Sequence, residues 1–273
     1  MKRLIASAFA LAVAAGAFAQ LSGTYTWGGS TTVAPIAYAA IEQFQKDNPG
    51  VKISYEATGS GAGLTSLLAG QYTMAGSSAE ISADQQSKGA VPKTIALDGI
   101  SVVVNKNVKI SNISKANLAS VFAGKITNWK DLGGADMKIV VITRDESSGT
   151  YSSFNDLVLK PAGLKYSKDV IVAKENGEVA AKVASTPGSV GYCGIAFAPE
   201  VVKAGGRSLM VGGIKDTVPN VIAKKWPLSR ALYLVTKGAP AEGSVEKAFI
   251  DFILSDKGQA IVKSTDFIPL PKN

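Results

Sequence analysis

Thr24-Tyr25-Thr26-Trp27-Gly28-Gly29-Ser30-Thr31-Thr32-Val33-Ala34-Pro35-Ile36-Ala37 decides the fold class. Thr24–Gly28 is rich in β-branched and aromatic residues and reads as a strand. A Gly-Ser-Thr cluster follows, then a helix from Ala34 to Lys46 with Ile36, Ala40, Ile41 and Phe44 on one face. Asn48-Pro49-Gly50 ends that helix. The same order recurs: Val51–Glu56 alternates as a strand, and Gly59–Gly63 turns into a helix carrying Leu64, Leu67 and Leu68. Ile139–Thr143 (strand) leads through Ser147–Thr150 into the helix Thr150–Leu159. Between these, Ile100–Asn105 is a β-branched run expected to be buried on both faces, and Lys115–Phe122 reads as a helix. Val179–Ser185 (helix), Val190–Ile195 (strand), Ala231–Thr236 (strand) and Ser244–Leu254 (helix) complete the pattern. Such alternation predicts parallel sheets covered by helices, an α/β architecture.

Composition narrows the chemistry. The chain has 273 residues, 46% hydrophobic and 18% charged, which suits a folded protein of one large or two medium domains. It has no histidine, so neither a Ser-His-Asp or Cys-His nucleophile nor a His-ligated zinc site can be built. The lone Cys193 excludes an intrachain disulfide and a Cys-rich metal cluster, and its apolar setting, Gly191-Tyr192-Cys193-Gly194-Ile195, predicts a small core residue. The formal charge of +8 suggests a nucleic-acid or membrane partner only until the basic residues are located. Only Arg3, Arg144, Arg207 and Arg230 are arginines; the lysines are dispersed without a run, as on a solvated surface, and no nucleic acid is expected.

The start of the chain reads as an export signal. Lys2 and Arg3 precede an apolar, Ala-rich stretch from Leu4 to Phe18, and Ala17-Phe18-Ala19 is an A-x-A cleavage site before Gln20. The stretch is shorter than the ~20 apolar residues a membrane span needs. Residues 1–19 are therefore expected to be removed, leaving a soluble protein outside the cytoplasm.

Three loops share one form, with a Gly/Ser/Thr cluster joining a strand end to a helix start: Gly28–Thr32, Gly59–Gly63 and Ser147–Thr150. In open α/β sheets ligands sit at the carboxyl ends of strands, where helix starts offer free N–H groups. Hydroxyls in all three suggest one shared anion; without a ligand, the same Ser and Thr residues are helix caps. Gly59–Gly63 lacks the Gly-Lys-Ser/Thr ending of a nucleotide phosphate loop. Arg144-Asp145-Glu146-Ser147-Ser148-Gly149-Thr150 adds a planar guanidinium, suited to a tetrahedral oxyanion, with Glu146 placed to orient it. Read without a ligand, this is a surface ion pair beside a capped helix. Asp98, in Ala96-Leu97-Asp98-Gly99-Ile100, is either a turn residue or a selector. A carboxylate tolerates an anion that brings its own proton, as phosphate does near neutral pH and sulfate does not.

With these motifs in hand, the chain resembles the periplasmic phosphate-binding protein of the bacterial high-affinity phosphate ABC importer. The resemblance rests on Gly29 through Pro35, Gly59 through Gly63, Ala96 through Ile100, Gly124-Lys125-Ile126-Thr127-Asn128-Trp129 and Arg144 through Thr150, in matching order and spacing across almost the whole mature chain. It implies the two-lobed periplasmic binding protein fold (type II), with lobes joined by crossover strands and phosphate held dehydrated in the cleft between them. The lobes are expected at residues 20–105 with 230–273, and at 106–229. Carried over by position, Ser30, Thr31 and Ser60 would bind phosphate from the first lobe, and Arg144, Ser148, Gly149 and Thr150 from the second. Some members carry a carboxylate in the third loop, in an Ala-Ser-Asp-Ala context; here Gly76-Ser77-Ser78-Ala79 makes Ser78 a hydroxyl donor. Asp98 is then expected to take the acceptor role.

The resulting expectation is a periplasmic, monomeric, non-enzymatic receptor that needs no cofactor or metal. It would capture inorganic phosphate and deliver it to the membrane permease of an ABC importer. The alternatives are a receptor for sulfate, molybdate or tungstate, a secreted phosphate-ester hydrolase using Ser30 or Ser148, and an exported signalling or adhesive protein that keeps the fold.

Overall fold

The computed structural model describes residues 20–272, so the expected signal segment lies outside the described residues. Eleven strands are present among the described residues: β1 (Gly23–Gly29), β2 (Val51–Glu56), β3 (Met74–Ser77), β4 (Ala90–Val104), β5 (Asn112–Ile113), β6 (Val140–Arg144), β7 (Ile171–Ala173), β8 (Ser189–Gly194), β9 (Arg207–Ser208), β10 (Met210–Val211) and β11 (Ser229–Lys237). Eight run in the order β2-β1-β3-β11-β4-β8-β6-β7, with β9 also on β4; β5 and β10 form a separate pair. The βα units pair in parallel, β1 with β2 and β3, and β6 with β7 and β8. The purely parallel sheets expected from the alternation are not what forms. β4 and β11 run antiparallel to each other, β11 also to β3, and β4 also to β8. These two strands carry the chain between the halves, and a crossing strand need not keep the direction of the βα units it joins.

Burial follows the strand patterns. Val51, Ile53 and Tyr55 of the edge strand β2 point into the core while Lys52, Ser54 and Glu56 face solvent. β4 is buried at every position from Asp98 to Val104, matching the double-sided burial expected for that run. Its first part pairs β11 over Ala90–Gly99, and its second pairs β8 over Ile100–Val104.

Helices cover both faces of each half. α1 (Ala34–Asp47) buries Ile36, Ala37, Ala40, Ile41 and Phe44, with Pro35 in its first turn. Asn48 ends it by bonding back to the Phe44 carbonyl through both backbone and side-chain nitrogens, each at 2.9 Å. This face joins Trp27, Met74, Ile95 and Leu232 with Phe249 and Ile253 from α9 (Val245–Leu254) and Val262 from α10 (Asp256–Ser264), a helix the sequence pattern did not suggest. α2 (Ser60–Leu68) covers the opposite face with Leu64 and Leu67, and α3 (Ala83–Ser87) follows in a capping box closed by Ser82 and Gln85.

The other half has its own cores. α4 (Lys115–Phe122) packs Leu118, Val121 and Phe122 against Trp129, Phe154, Val158, Tyr192 and Trp226. Phe154 and Tyr192 stack at 4.1 Å between ring centroids. α5 (Gly149–Phe154) continues into a wider π-type turn over Asn155–Leu159, where an uninterrupted helix was expected. On the far face, α6 (Asn176–Ser185) and α7 (Ala198–Lys203) enclose Val103, Ile142 and Cys193; α8 (Val218–Ile222) precedes β11. Cys193 is fully buried, as its neighbours suggested. No helix among the described residues is long and apolar enough to cross a membrane. The result is a two-lobed mixed α/β fold whose clustered loops face one another at the crossing.

Candidate anion-binding site

Four strand-end loops meet between the halves, and hydroxyls line the junction. β1 delivers Ser30, whose Oγ accepts the backbone N–H groups of Thr32 (3.1 Å) and Val33 (3.2 Å). Ser148 does the same ahead of α5, accepting from Thr150 N (3.2 Å) and Tyr151 N (3.3 Å). Both serines therefore cap local backbone, and each hydroxyl still has its own proton to donate. Ser60, the first residue of α2, accepts the Ser78 N–H at 3.1 Å and lies 3.4 Å from the Ser78 hydroxyl. The helix-cap reading is thus correct for Ser148, while Ser30 holds the turn ahead of α1, whose N-cap is Val33; neither displaces the anion reading.

The halves touch through this cluster. Thr32 Oγ1 is 3.1 Å from Thr150 Oγ1 and accepts the Asn176 side-chain N–H at 3.0 Å. The Gly61 N–H donates to the Ser147 carbonyl at 2.8 Å, and the Ser153 hydroxyl to the Ser78 carbonyl at 2.9 Å. Gly149 is required for the approach. A Cβ there would overlap the Ser60 hydroxyl oxygen and sit 2.7 Å from that of Ser78. The cleft is closed.

Arg144 ends β6 with 1% of its surface exposed. Its Nε donates to the Ala173 carbonyl (3.3 Å), and Nη2 to the Lys174 carbonyl (2.6 Å) and Thr31 Oγ1 (2.9 Å). The expected orienting role of Glu146 is not seen: that residue is exposed at the turn apex and makes no ion pair with Arg144. Backbone carbonyls of the β7–α6 connection hold the guanidinium instead, because its chain position points inward and the turn points out. The Tyr192 hydroxyl supports the same strand end, 2.7 Å from Thr143 Oγ1 and accepting the Arg144 N–H at 3.3 Å. Burial pulls the Arg144 guanidinium down from its ordinary pKa, yet a guanidinium remains a cation. Its Nη1 is buried with no hydrogen-bond partner. A buried, charged donor without an acceptor is costly, and an anion beside it would remove that cost.

The sequence suggested a single guanidinium here, and the structure places a second, Arg230, beside the same hydroxyls. Arg230 on β11 lies directly across the strand ladder from Asp98 on β4. Its Nε donates to Asp98 Oδ2 at 2.9 Å, and Nη2 lies 2.7 Å from the same oxygen. Nη1 donates to the Ser78 carbonyl (3.1 Å) and Thr150 Oγ1 (3.0 Å). Asp98 is fully buried and its Oδ1 also accepts the Ile195 N–H at 3.3 Å. Burial pushes its carboxyl up, while the Arg230 guanidinium and the Ile195 and Gly99 N–H groups pull it back. Asp98 was expected to take the acceptor role; the β4–β11 pairing, which spans 132 positions of sequence, also gives it a counterion.

All nine sequence-named residues, Ser30, Thr31, Ser60, Ser78, Asp98, Arg144, Ser148, Gly149 and Thr150, fall in or directly behind this junction. Arg230 and Asn176 were missed. Arg230 had one signal, as one of only four arginines and the residue leading the apolar strand Ala231–Thr236. Asn176 had none beyond its place at a helix start. It also accepts the Gly194 N–H at 3.1 Å, tying α6 to the end of β8.

Comparison with known proteins adds relatives to this geometry. The PBP superfamily domain matches residues 14–257. The phosphate-binding protein PstS of Borreliella burgdorferi is 37% identical over 246 residues, covering 88% of each chain. The protein of the same name from Bacillus subtilis is 32% identical over 254 residues, covering 92% of this chain and 82% of its own. Among solved structures, a Clostridium perfringens chain determined with bound phosphate matches at TM-score 0.82 and 30% identity, covering 91% of this chain and all of that one.

Proposed function

We propose that this chain, which belongs to the PBP superfamily and within it to the family of the phosphate-binding proteins, captures one inorganic phosphate in the interlobe cleft and hands it to an ABC importer. The observation that carries this reading is the buried, partnerless Arg144 Nη1 beside hydroxyls supplied by both lobes. Phosphate loses its water on entering such a site and needs a replacement donor for each lone pair. Ser30, Thr31, Ser60, Ser78, Ser148 and Thr150 supply neutral donors, the Gly149 backbone supplies close approach, and Arg144 supplies charge. Asp98 accepts the proton that phosphate carries, through Oδ1, the oxygen not paired with Arg230. Sulfate, lacking that proton, would set acceptor against acceptor.

The division into two lobes is part of the proposal, with the first boundary moved from the expected residue 105 to Gly99, since Ile100–Val104 pair with β8 in the second lobe. The core clusters support crossings near Gly99 and Ser229. Ala96 and Leu232 pack with α1 and α9, whereas Ile100 and Leu228 pack with α4. Closure is then a hinge motion about β4 and β11. The receptor is exported to the periplasm after cleavage at Ala19, acts as a monomer, docks on a membrane permease and performs no catalysis. With no histidine in the chain, Ser30 and Ser148 lack the usual general base for ester hydrolysis.

Calorimetric titration of the protein, stripped of anion by unfolding and dialysis, tests the function. Phosphate should bind one to one, and sulfate should fail to compete at a hundredfold excess. Equal binding of sulfate would replace the reading with a general oxyanion receptor, and no binding of either would end it.

A further inference from the structure

The pair formed by Arg230 and Asp98 is a buried salt bridge at the crossing between the lobes. The two residues face each other on β11 and β4, the strands that cross between the lobes among the described residues. The guanidinium then reaches past Asp98 to Ser78 on one lobe and Thr150 on the other, both beside the site hydroxyls. Arg230 is 9% exposed and Asp98 0%. If Arg230 served only to neutralise Asp98, its donors would be used up on the carboxylate. They are not. Nη2 pairs with Asp98 Oδ2 at 2.7 Å without an aligned hydrogen bond, while Nη1 turns away from the carboxylate to the Ser78 carbonyl and Thr150 Oγ1. Both guanidinium groups reach the same hydroxyl cluster, Arg144 through Thr31 and Arg230 through Thr150. One guanidinium carrying a buried donor with no acceptor, and a second reaching the same hydroxyl cluster, call for an anion between them.

We propose that Arg230 is a second guanidinium ligand of the bound phosphate, anchored by Asp98 across the two crossing strands. The inference rests on the phosphate reading above and deepens it. Arg144 binds from the second lobe; Arg230 binds from the hinge, and its Nη1 bonds to Ser78 and Thr150 span the closed cleft. Anion binding and closure thereby share one side chain.

The test separates a ligand from a counterion. Arg230→Gln leaves Asp98 as an unpaired buried carboxylate, so lost folding would be ambiguous. The double variant Arg230→Gln/Asp98→Asn removes both charges and keeps an amide pair across the ladder. Calorimetry with inorganic phosphate should find it weakened at least tenfold relative to Asp98→Asn alone, as expected for loss of a charged hydrogen bond. Equal affinity of the double variant and Asp98→Asn would overturn the inference and leave Arg230 a counterion. A measurement on the unaltered protein guards against misfolded variants. With 15N-labelled arginine, coupling between 31P and guanidinium 15N should appear at two side chains when phosphate is added. Coupling at one alone would overturn the inference. Failure of the unaltered protein to bind phosphate would instead remove the underlying function.

Discussion

Gly149→Ala should weaken phosphate binding without harming the fold, and the two effects can be sized separately. Gly149 begins α5 with a backbone conformation open to any L-residue, so alanine is locally favourable by about 0.5–1 kcal/mol through lower chain entropy. The added Cβ has nowhere to go in the closed cleft, where it overlaps the Ser60 hydroxyl oxygen and lies 2.9 Å from Ser60 Cβ. Overpacking of this kind costs about 1–3 kcal/mol when neighbours can shift. Relief by parting the lobes instead would stretch the Gly61–Ser147 and Ser153–Ser78 bonds, each worth about 0.5–1.5 kcal/mol, so both routes give a similar penalty. The penalty falls on the closed form alone, and phosphate affinity should drop roughly 5- to 150-fold. Calorimetry supplies the affinity, and thermal unfolding without phosphate supplies the stability, which should be unchanged or slightly raised. Gly177→Ala is the control: its Cβ would meet nothing within 4 Å, so phosphate should bind as to the unaltered protein. Wild-type affinity in Gly149→Ala would refute the claim that this closed geometry is the binding form.

Asp98→Asn should lower the preference for phosphate over sulfate in paired calorimetric titrations; an unchanged ratio would remove Asp98 from selectivity while leaving its pairing with Arg230. Phe154→Ala should lower unfolding stability by about 3–5 kcal/mol in denaturant titrations, because it deletes a fully buried ring stacked on Tyr192 and packed against Phe122. Burial pushes the Cys193 thiol well above its ordinary pKa, so its proton is held far into the alkaline range and the reactive thiolate is scarce near pH 8. A thiol-reactive dye at that pH should label the unfolded chain fully and the native one hardly at all; rapid native labelling would contradict the packing around β8.

Local features were legible in the sequence, and long-range pairings were not. Val51–Glu56 and Lys115–Phe122 were located to the residue because strand alternation and helical spacing are local properties. The loops were legible for the same reason: a Gly/Ser/Thr cluster between a strand and a helix is a local pattern, and placing Ser30, Ser60 and Ser148 needed nothing more. The direction of β4 was not, since antiparallel pairing with β11 depends on residues over a hundred positions away. The same blindness hid Arg230, whose role exists only once β11 lies beside β4. Glu146 shows the converse error. It lies two positions from Arg144 in sequence, but a tight turn sends the two side chains in opposite directions. The carbonyls of Ala173 and Lys174, far along the chain, hold the guanidinium instead.

A crystal structure grown with phosphate tests the central claim most directly. The account predicts tetrahedral density between the lobes, about 3 Å from Arg144 Nη1 and from the hydroxyls of Ser30, Ser60 and Ser148. Density for the anion outside this junction, or a phosphate that leaves Arg144 Nη1 without a bond, would contradict it.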